Sequence, residues 1–461
     1  MGAPRLFVPE TAAVESRRRV LPAAESALEK RLRKCLLESR TPCALALLVS
    51  GLFAAVPVAY AAGFQLSEQS VVGTGRANAG AGVVGDDLSA VFYNPAGMSL
   101  LKGTQAQFGL SYIALGAPFT DATGRTDNGR DQPAVVPNTY LVHQLNDRVT
   151  LGLGITTPFG LASSYGDSWS GRAKGISSSI VTVDINPSLA YKINPQWSVG
   201  FGVSAQYQKA KLKKGAAPAG MTTVPGVFLG QASGEIEADD WAYGYNLGLM
   251  FSPSADFRIG LSYRSKMDHD AEGDYSFSGG KGPFAAWNGT YEGSASVTTP
   301  DSVLLSAFGR LNPKWSLSGT VRWSNWTTYD RLEIKNGSPV RPGIGAVPST
   351  VIDNQWKASW MYAAGADYRY NERATFRAGI GYETSPVPSP KLRSPLIPDT
   401  DRLWLSLGAS YALDDKTTLD LAYAHLRGTG NKTIENSDGS RFGAYDALDA
   451  FLIGVQAQYR F

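Results

Sequence analysis

From about Gly103 to the last residue, apolar side chains recur at every second position. Phe108, Leu110 and Tyr112 alternate with Gln107, Gly109 and Ser111. Val199, Phe201, Val203 and Tyr207 alternate with Ser198, Gly200, Gly202, Ser204 and Gln206. Leu403, Leu405, Leu407, Ala409 and Tyr411 do the same, and so do Phe451, Ile453, Val455, Ala457, Tyr459 and the terminal Phe461. A period of two puts one set on each face of a strand. The off-phase set is rich in Gly, Ser and Gln, which suits a crowded polar lumen better than a sandwich core, and aromatics mark strand ends as in interfacial girdles. Turn signals alternate in length. Short ones fall at 145–148, 193–196, 252–256, 311–314, 370–373 and 413–416. Long ones fall at 117–133, 160–175, 213–235, 273–295, 336–352, 385–399 and 428–444. Six short and seven long connections join fourteen strands, with short turns on one side of a membrane and long loops on the other. The expected fold is an all-β membrane protein, a 14-stranded antiparallel transmembrane β-barrel.

Composition closes off other classes. Among 461 residues, only 42–60 form a run long and apolar enough to insert as a helix. Further insertion must use strands, and lipid admits strands only in closed barrels. Nine of the 43 Lys and Arg and five of the 40 acids precede Ala62, leaving 34 basic against 35 acidic residues, so no nucleic-acid partner is expected. Cys35 and Cys43 also precede Ala62, which excludes a disulfide framework, a zinc cluster or a cysteine nucleophile after it.

Residues 1–40 are polar with basic runs, 42–60 are apolar, and Ala59-Tyr60-Ala61 fits a small-x-small cleavage pattern. Residues 1–61 therefore read as a signal peptide with an extended n-region that is removed. Residues 62–102 follow neither period for long and are rich in Gly, Ala and Ser; they read as a plug, or hatch, within the barrel of 103–461. AGFQL at 62–66, GTGRANAGAG at 73–82, Gly85-Asp86-Asp87 and Asn94-Pro95-Ala96-Gly97 stand here in that order. This stretch resembles the FadL-type family of outer-membrane transporters for long-chain fatty acids and other hydrophobic compounds. NPSLAYKIN at 186–194, RIGLSYRSKMDHDAEGDY at 258–275, TPDSVLLSAFGRLNPKWSLSGTVRWSNWTTYDRL at 299–332, and RAGIGYETSPVP through PDTDRLWLSLGASY at 377–411 extend the resemblance over almost the whole mature chain.

The resemblance implies passive uptake of long-chain fatty acids across a Gram-negative outer membrane, without a cofactor. Aromatic hydrocarbons or alkanes by the same route are the alternative ligands, and an outer-membrane lipase barrel is the alternative activity. Implied surroundings are outer-membrane lipid including lipopolysaccharide, the barrel-assembly machinery and a monomeric state. Two outer loops would form an initial hydrophobic groove. Here Met221, Val224, Val227, Phe228 and Leu229 stand in one, and Phe284 and Trp287 in the other.

Lys357 matches a family lysine near the ligand head group, and alternation along 356–367 places it inward with Ser359 and Met361. Lys209 matches a second basic position, although it falls in phase with the outward Tyr207. Arg264, Arg322 and Arg377 point inward by parity and read as lumen salt bridges with acids such as Asp268 or Glu383. The family's third strand is kinked and opens the wall beside the start of the plug. Gly152, Gly154 and Pro158 lie in that strand here, and Phe64, Asn94, Pro95 and Ala96 belong to the gate or hatch. His143, His269 and His425 are scattered, with no GxSxG elbow or HExxH helix to recruit them.

Overall fold

The computed structural model describes residues 63–127, 133–216 and 229–461. The expected signal peptide and Met221, Val224, Val227 and Phe228 lie outside the described residues. The wall consists of β1 (Thr104–Gly116), β2 (Ala134–Gln144), β3 (Val149–Thr156 and Gly160–Ser164), β4 (Ser177–Lys192), β5 (Trp197–Gly215), β6 (Ser233–Phe251) and β7 (Phe257–Arg264 and Met267–Ser278). It continues through β8 (Gly289–Thr299 and Ser302–Arg310), β9 (Trp315–Ser324 and Arg331–Asn336), β10 (Thr350–Asp353 and Ser359–Arg369), β11 (Ala374–Glu383), β12 (Arg402–Ala412), β13 (Thr417–Gly428) and β14 (Asp449–Arg460). Each stave pairs antiparallel with the next. β14 returns to β1 in register from Gln105↔Arg460 to Gly116↔Asp449, which closes a 14-stranded barrel.

The short turns use one chemical device. Asn146, Asn194, Asn312, Asn371 and Asp414 each accept two backbone N–H groups with a side-chain oxygen, and Ser254 does so with its hydroxyl. Such side chains stand in for backbone partners where the chain reverses. The long connections are shorter than the sequence suggests, because alternation carries β5 to Gly215 and β7 to Ser278. The last long loop is also structured: Thr433–Glu435 and Arg441–Tyr445 form a separate four-stranded sheet with Phe119–Asp121 and Thr126–Asp127.

Outward positions such as Phe201, Leu247, Leu405 and Ile453 stay exposed, whereas the inward Gln107, Ser111, Ser204, Gln206 and Gln456 are buried. Their burial comes from residues 63–101, which pack against the inner faces of many staves. Ser70 caps the short helix Val71–Thr74, its Oγ accepting from Gly73 N–H at 2.8 Å. Asn94 caps the 3₁₀ turn Pro95–Leu100 in the same way, and its amide also donates to Leu249 O at 3.2 Å. A side chain at Gly200 or Gly248 would run into Pro95-Ala96 or Asn94, so these bare lumen positions on β5 and β6 form the seat of Asn94-Pro95-Ala96. Those three residues therefore fasten the segment to the wall.

Candidate functional site

Three staves lose their ladder where Phe64 sits. β3 breaks at 157–159, β9 at 325–330 and β10 at 354–358. The breaks present Phe159, Trp326, Tyr329 and Trp356, whose rings lie 5.9, 4.8, 5.4 and 6.2 Å from that of Phe64. Phe64 is fully buried among them. Burial of such a side chain contributes about 1.5–3 kcal/mol, and favourable ring geometry adds about 0.5–1.5 kcal/mol per pair. Sequence reasoning found Phe64 but missed this box. The available signal was the loss of alternation at 325–330, which contains Trp326 and Tyr329.

The break in β3 leaves an opening in the pairing. Below it, β2 and β3 pair from Thr139↔Ile155 to Gln144↔Thr150. Above it, 160–164 pairs with β4 and 134–138 pairs with β1, and no ladder joins these two segments to each other. The N-terminal segment satisfies the freed backbone. Leu66 N donates to Pro158 O at 2.8 Å, Gly160 N donates to Phe64 O at 2.8 Å, and Gln69 Nε2 donates to Thr157 O at 2.7 Å. Leu66 packs with Val136 and Ala162, which come from either side of the opening. In lipid, each backbone group left alone would cost several kcal/mol.

Pro158 lies in the break, but Gly152 and Gly154 do not, which corrects the expectation that these glycines open the wall. Both remain paired with Ser188 and Asn186 of β4. Gly152 instead makes room for Met98 and Val91 of the N-terminal segment.

Two spaces, lined mostly by apolar side chains, lie along the cluster that includes Phe64. The outer one, about 250 Å³, is lined by Leu229, Tyr275, Phe277, Trp287 and Val347 together with Leu212, Ile236 and Ile334. Leu229 and Phe284 are partly buried against the same cluster as Trp287. The inner one is a narrow cavity of about 40 Å³ lined by Leu161, Ile180, Leu332, Tyr329 and Leu396, and it shares Leu212, Ile236 and Ile334 with the outer one. A single hydrophobic cluster runs from Trp287 and Phe277 through Ile236 and Ile334 to Phe64 and Phe159.

The two lysines are placed differently from the sequence expectation. Lys357 is exposed and lies in the break of β10. Gln355 has φ +48° there, and Trp356 turns into the interior in place of Lys357, although Ser359 and Met361 do face inward. Lys209 is exposed too. β5 continues without a bulge, so Lys209 stays in phase with Tyr207 and pairs with Glu237 at 2.6 Å. Lys357→Ala is accordingly expected to change the affinity for any carboxylate probe, oleate for instance, by no more than about twofold, the scale of a surface substitution. Isothermal titration of the detergent-solubilised protein measures this, and a much larger loss would put the lysine back at the head group.

The inward arginines are ion-paired as expected, but not to Asp268, which is exposed and pairs with Lys266. Arg264 meets Asp184 at 3.1 Å and stacks over Phe92. Arg322 meets Glu383 at 2.7 Å and donates to Ser67 Oγ at 2.9 Å. Arg402 meets Asp399 at 2.8 Å and lies 3.7 Å from Glu383. Arg76 and Arg377 form a ring with Asp86 and Asp367 over 2.7–3.3 Å. Asp87 accepts from Ser70 and Ser89, and burial, reinforced by Asp86, pushes its carboxyl up to about 6. The adjacent acids thus serve separate internal contacts. The histidines remain apart: His143 bonds Thr104, buried His269 meets Gln206 and Asp240, and His425 lies 3.9 Å from Asp449.

The closed barrel, with mostly apolar spaces beside a break bridged by its own N-terminal segment, has relatives among known proteins. Residues 52–461 match the family described as outer membrane protein transport protein (OMPP1/FadL/TodX). The chain is 31% identical over 434 residues to a long-chain fatty acid transport protein of Escherichia coli, covering 87% of this chain and 95% of that one. It is 32% identical over 422 residues to outer membrane protein P1 of Haemophilus influenzae, covering 83% and 89%. Its fold is similar to that of a Pseudomonas aeruginosa FadL homologue, with a TM-score of 0.76 at 24% identity over 87% of this chain and 100% of that one. It is also similar to the Pseudomonas putida toluene transporter TodX, with a TM-score of 0.66 at 20% identity over 81% and 94%. The chain belongs to the OMPP1/FadL/TodX family of outer-membrane transport proteins and is a β-barrel of the Gram-negative outer membrane.

Proposed function

We propose that the protein takes up long-chain fatty acids passively and releases them sideways into the membrane, with residues 62–102 acting as the hatch. The observation that carries this reading is the continuous apolar cluster from the outer groove at Trp287 to Phe64 at the gap in β3. A ligand captured by Leu229, Phe284 and Trp287 would pass Ile236 and Ile334 into the narrow cavity. At about 40 Å³ that cavity must widen to admit a chain, because ligand pockets measure about 300–1,000 Å³. Displacing Phe64 supplies the room and at the same time unbinds Leu66 from Pro158. A lateral exit suits an insoluble ligand, which then never crosses open water. The relatives named as fatty acid transporters agree with this substrate class.

The aromatic box of Phe64, Phe159, Trp326, Tyr329 and Trp356 favours a second reading, uptake of aromatic hydrocarbons, since flat rings pack well among rings. Mass spectrometry of hydrophobes that co-purify with the mature protein separates the two: fatty acids support the first reading, and aromatic hydrocarbons alone support the second. The route is tested by a reversible disulfide between positions 65 and 159, which must stop uptake if the exit is lateral.

A further inference from the structure

One buried carboxyl is not used by the route as described. Glu68 is 1% exposed, and its Oε2 has no hydrogen-bond partner among the described residues. It lies between two residues that hold the opening in the wall. Leu66 bonds Pro158, and Gln69 bonds Thr157 through both its amide oxygen, at 3.3 Å, and its amide nitrogen, at 2.7 Å. Its neighbour Ser67 accepts from Arg322. The charged and titratable groups that act on it are Glu383 on β11, Arg402 on β12, Arg322 on β9 and Tyr93 of the N-terminal segment; Asp399, in the loop before β12, lies beyond them by Arg402 and Glu383, and Asp87 by Tyr93. Glu383 pairs with Arg322 and lies 3.7 Å from Arg402, and Asp399 pairs with Arg402 and also lies by Arg393, whereas Glu68 has no salt bridge among the described residues.

We propose that Glu68 is a proton donor to carboxylate ligands at the opening in the wall, so that a fatty acid enters the bilayer as the uncharged acid. This rests on the lateral route proposed above. The Glu68 O–H bond breaks and an O–H bond forms on a ligand carboxylate oxygen. Glu68 is left as a carboxylate beside Arg322 and Arg402, which stabilise its charge, and water returns the proton after the ligand has left. The physical need is direct, because a carboxylate is costly in hydrocarbon whereas the neutral acid partitions with its chain. Burial pushes the Glu68 carboxyl up to about 7, with Glu383 adding to the rise and Arg402 and Arg322 opposing it. The group therefore carries its proton below about pH 7 and loses it above, when the donor fraction falls about tenfold per pH unit.

The test uses the full-length mature protein in proteoliposomes, with oleate and oleyl alcohol as probes. Oleate uptake by the wild type is expected to fall as pH rises through about 7, while uptake of the alcohol stays level. Glu68→Gln, similar in shape but without an acidic proton, is expected to slow oleate at least about fivefold more than the alcohol and to flatten the oleate profile. Glu68→Asp, which keeps a proton to give, should recover part of the difference. Equal slowing of both lipids by Glu68→Gln would assign the residue a purely structural role and overturn the proposal. An unchanged pH profile in that variant would assign the titration to Asp399 or Asp87 and overturn it as well. The 65–159 disulfide keeps the two readings apart. If it stops neither lipid, the lateral route itself fails; if it stops both while Glu68→Gln treats them alike, only the proton donor fails.

Discussion

Oxidising a Gln65→Cys, Phe159→Cys double variant is expected to abolish uptake, and reduction is expected to restore it. Gln65 and Phe159 face each other in an isolated antiparallel bridge. The flanking bonds from Leu66 N to Pro158 O and from Gly160 N to Phe64 O make this a non-hydrogen-bonded pair, whose Cα atoms are about 4.5 Å apart, within the range a disulfide spans. Because Cys35 and Cys43 are the only cysteines and both lie in the expected signal peptide, the engineered pair should have no competitor in the mature chain. The crosslink ties the start of the N-terminal segment to the break in β3. It holds Leu66 across the opening, and the substitution at 65 also removes the bond that Ser324 Oγ of β9 donates to Gln65. Losing Phe159 loosens the aromatic box, so the reduced double variant is the proper reference rather than the wild type. The measurement is uptake of radiolabelled fatty acid by cells before and after a membrane-permeant reductant. Uptake that continues at the reduced rate while gel analysis shows complete crosslinking would rule out the lateral exit and favour a path through the N-terminal segment toward the periplasm.

The second large effect is expected from Arg76→Met. Arg76 is buried and bridges Asp86, at 2.7 Å, to Asp367 of β10, at 3.1 Å, with Arg377 of β11 completing the ring. Removing one cation leaves two carboxylates to share Arg377. Breaking a buried pair by deleting one partner costs about 3–5 kcal/mol. The lower end applies here, because the Asp86 side chain keeps about a quarter of its surface exposed.

The loss falls on the attachment of residues 63–101, since the backbone ladders of the wall do not depend on these charges. Limited proteolysis should therefore cut the N-terminal segment of the variant while the barrel stays intact. Adding Asp367→Asn should recover part of the loss by removing the surplus charge.

The pH dependence has a definite sign. Burial raises the Asp86 carboxyl, but Arg76 and Arg377 more than offset this and hold it well below the usual carboxylate range. A depressed carboxylate contributes stability above its unfolded value of 3.8, and that stability is lost as pH falls through the folded value. The difference between wild type and Arg76→Met should thus be full at neutral pH and shrink in strong acid. Equal protease resistance of the two proteins at neutral pH would show that the ring does not hold the segment.

The wall was legible along the chain. Strand number, the lipid-facing set and the side that carries the short turns all follow from local periodicity. A strand displays its faces through alternate residues, and a short turn displays itself through one Asn, Asp or Ser. Phe64, Pro158, Leu229, Phe284 and Trp287, named through the resemblance, fall along the apolar cluster or in the break.

What happens at the breaks depends on long-range packing. Parity counted back from Ser359 points Lys357 inward, but the count fails once β10 stops and Gln355 adopts a left-handed backbone. The interior position is then taken by Trp356, because Phe64 and Trp326 offer its ring more than lysine could gain there. Gly152 likewise reads as a weak point along the strand, and only the close approach of Met98 shows it to be a seat. The ring of Arg76, Asp86, Asp367 and Arg377 joins positions 291 residues apart. No period links such positions; the closure of the barrel around its own N-terminal segment brings them together, and the cost of burying unpaired charge selects their partners.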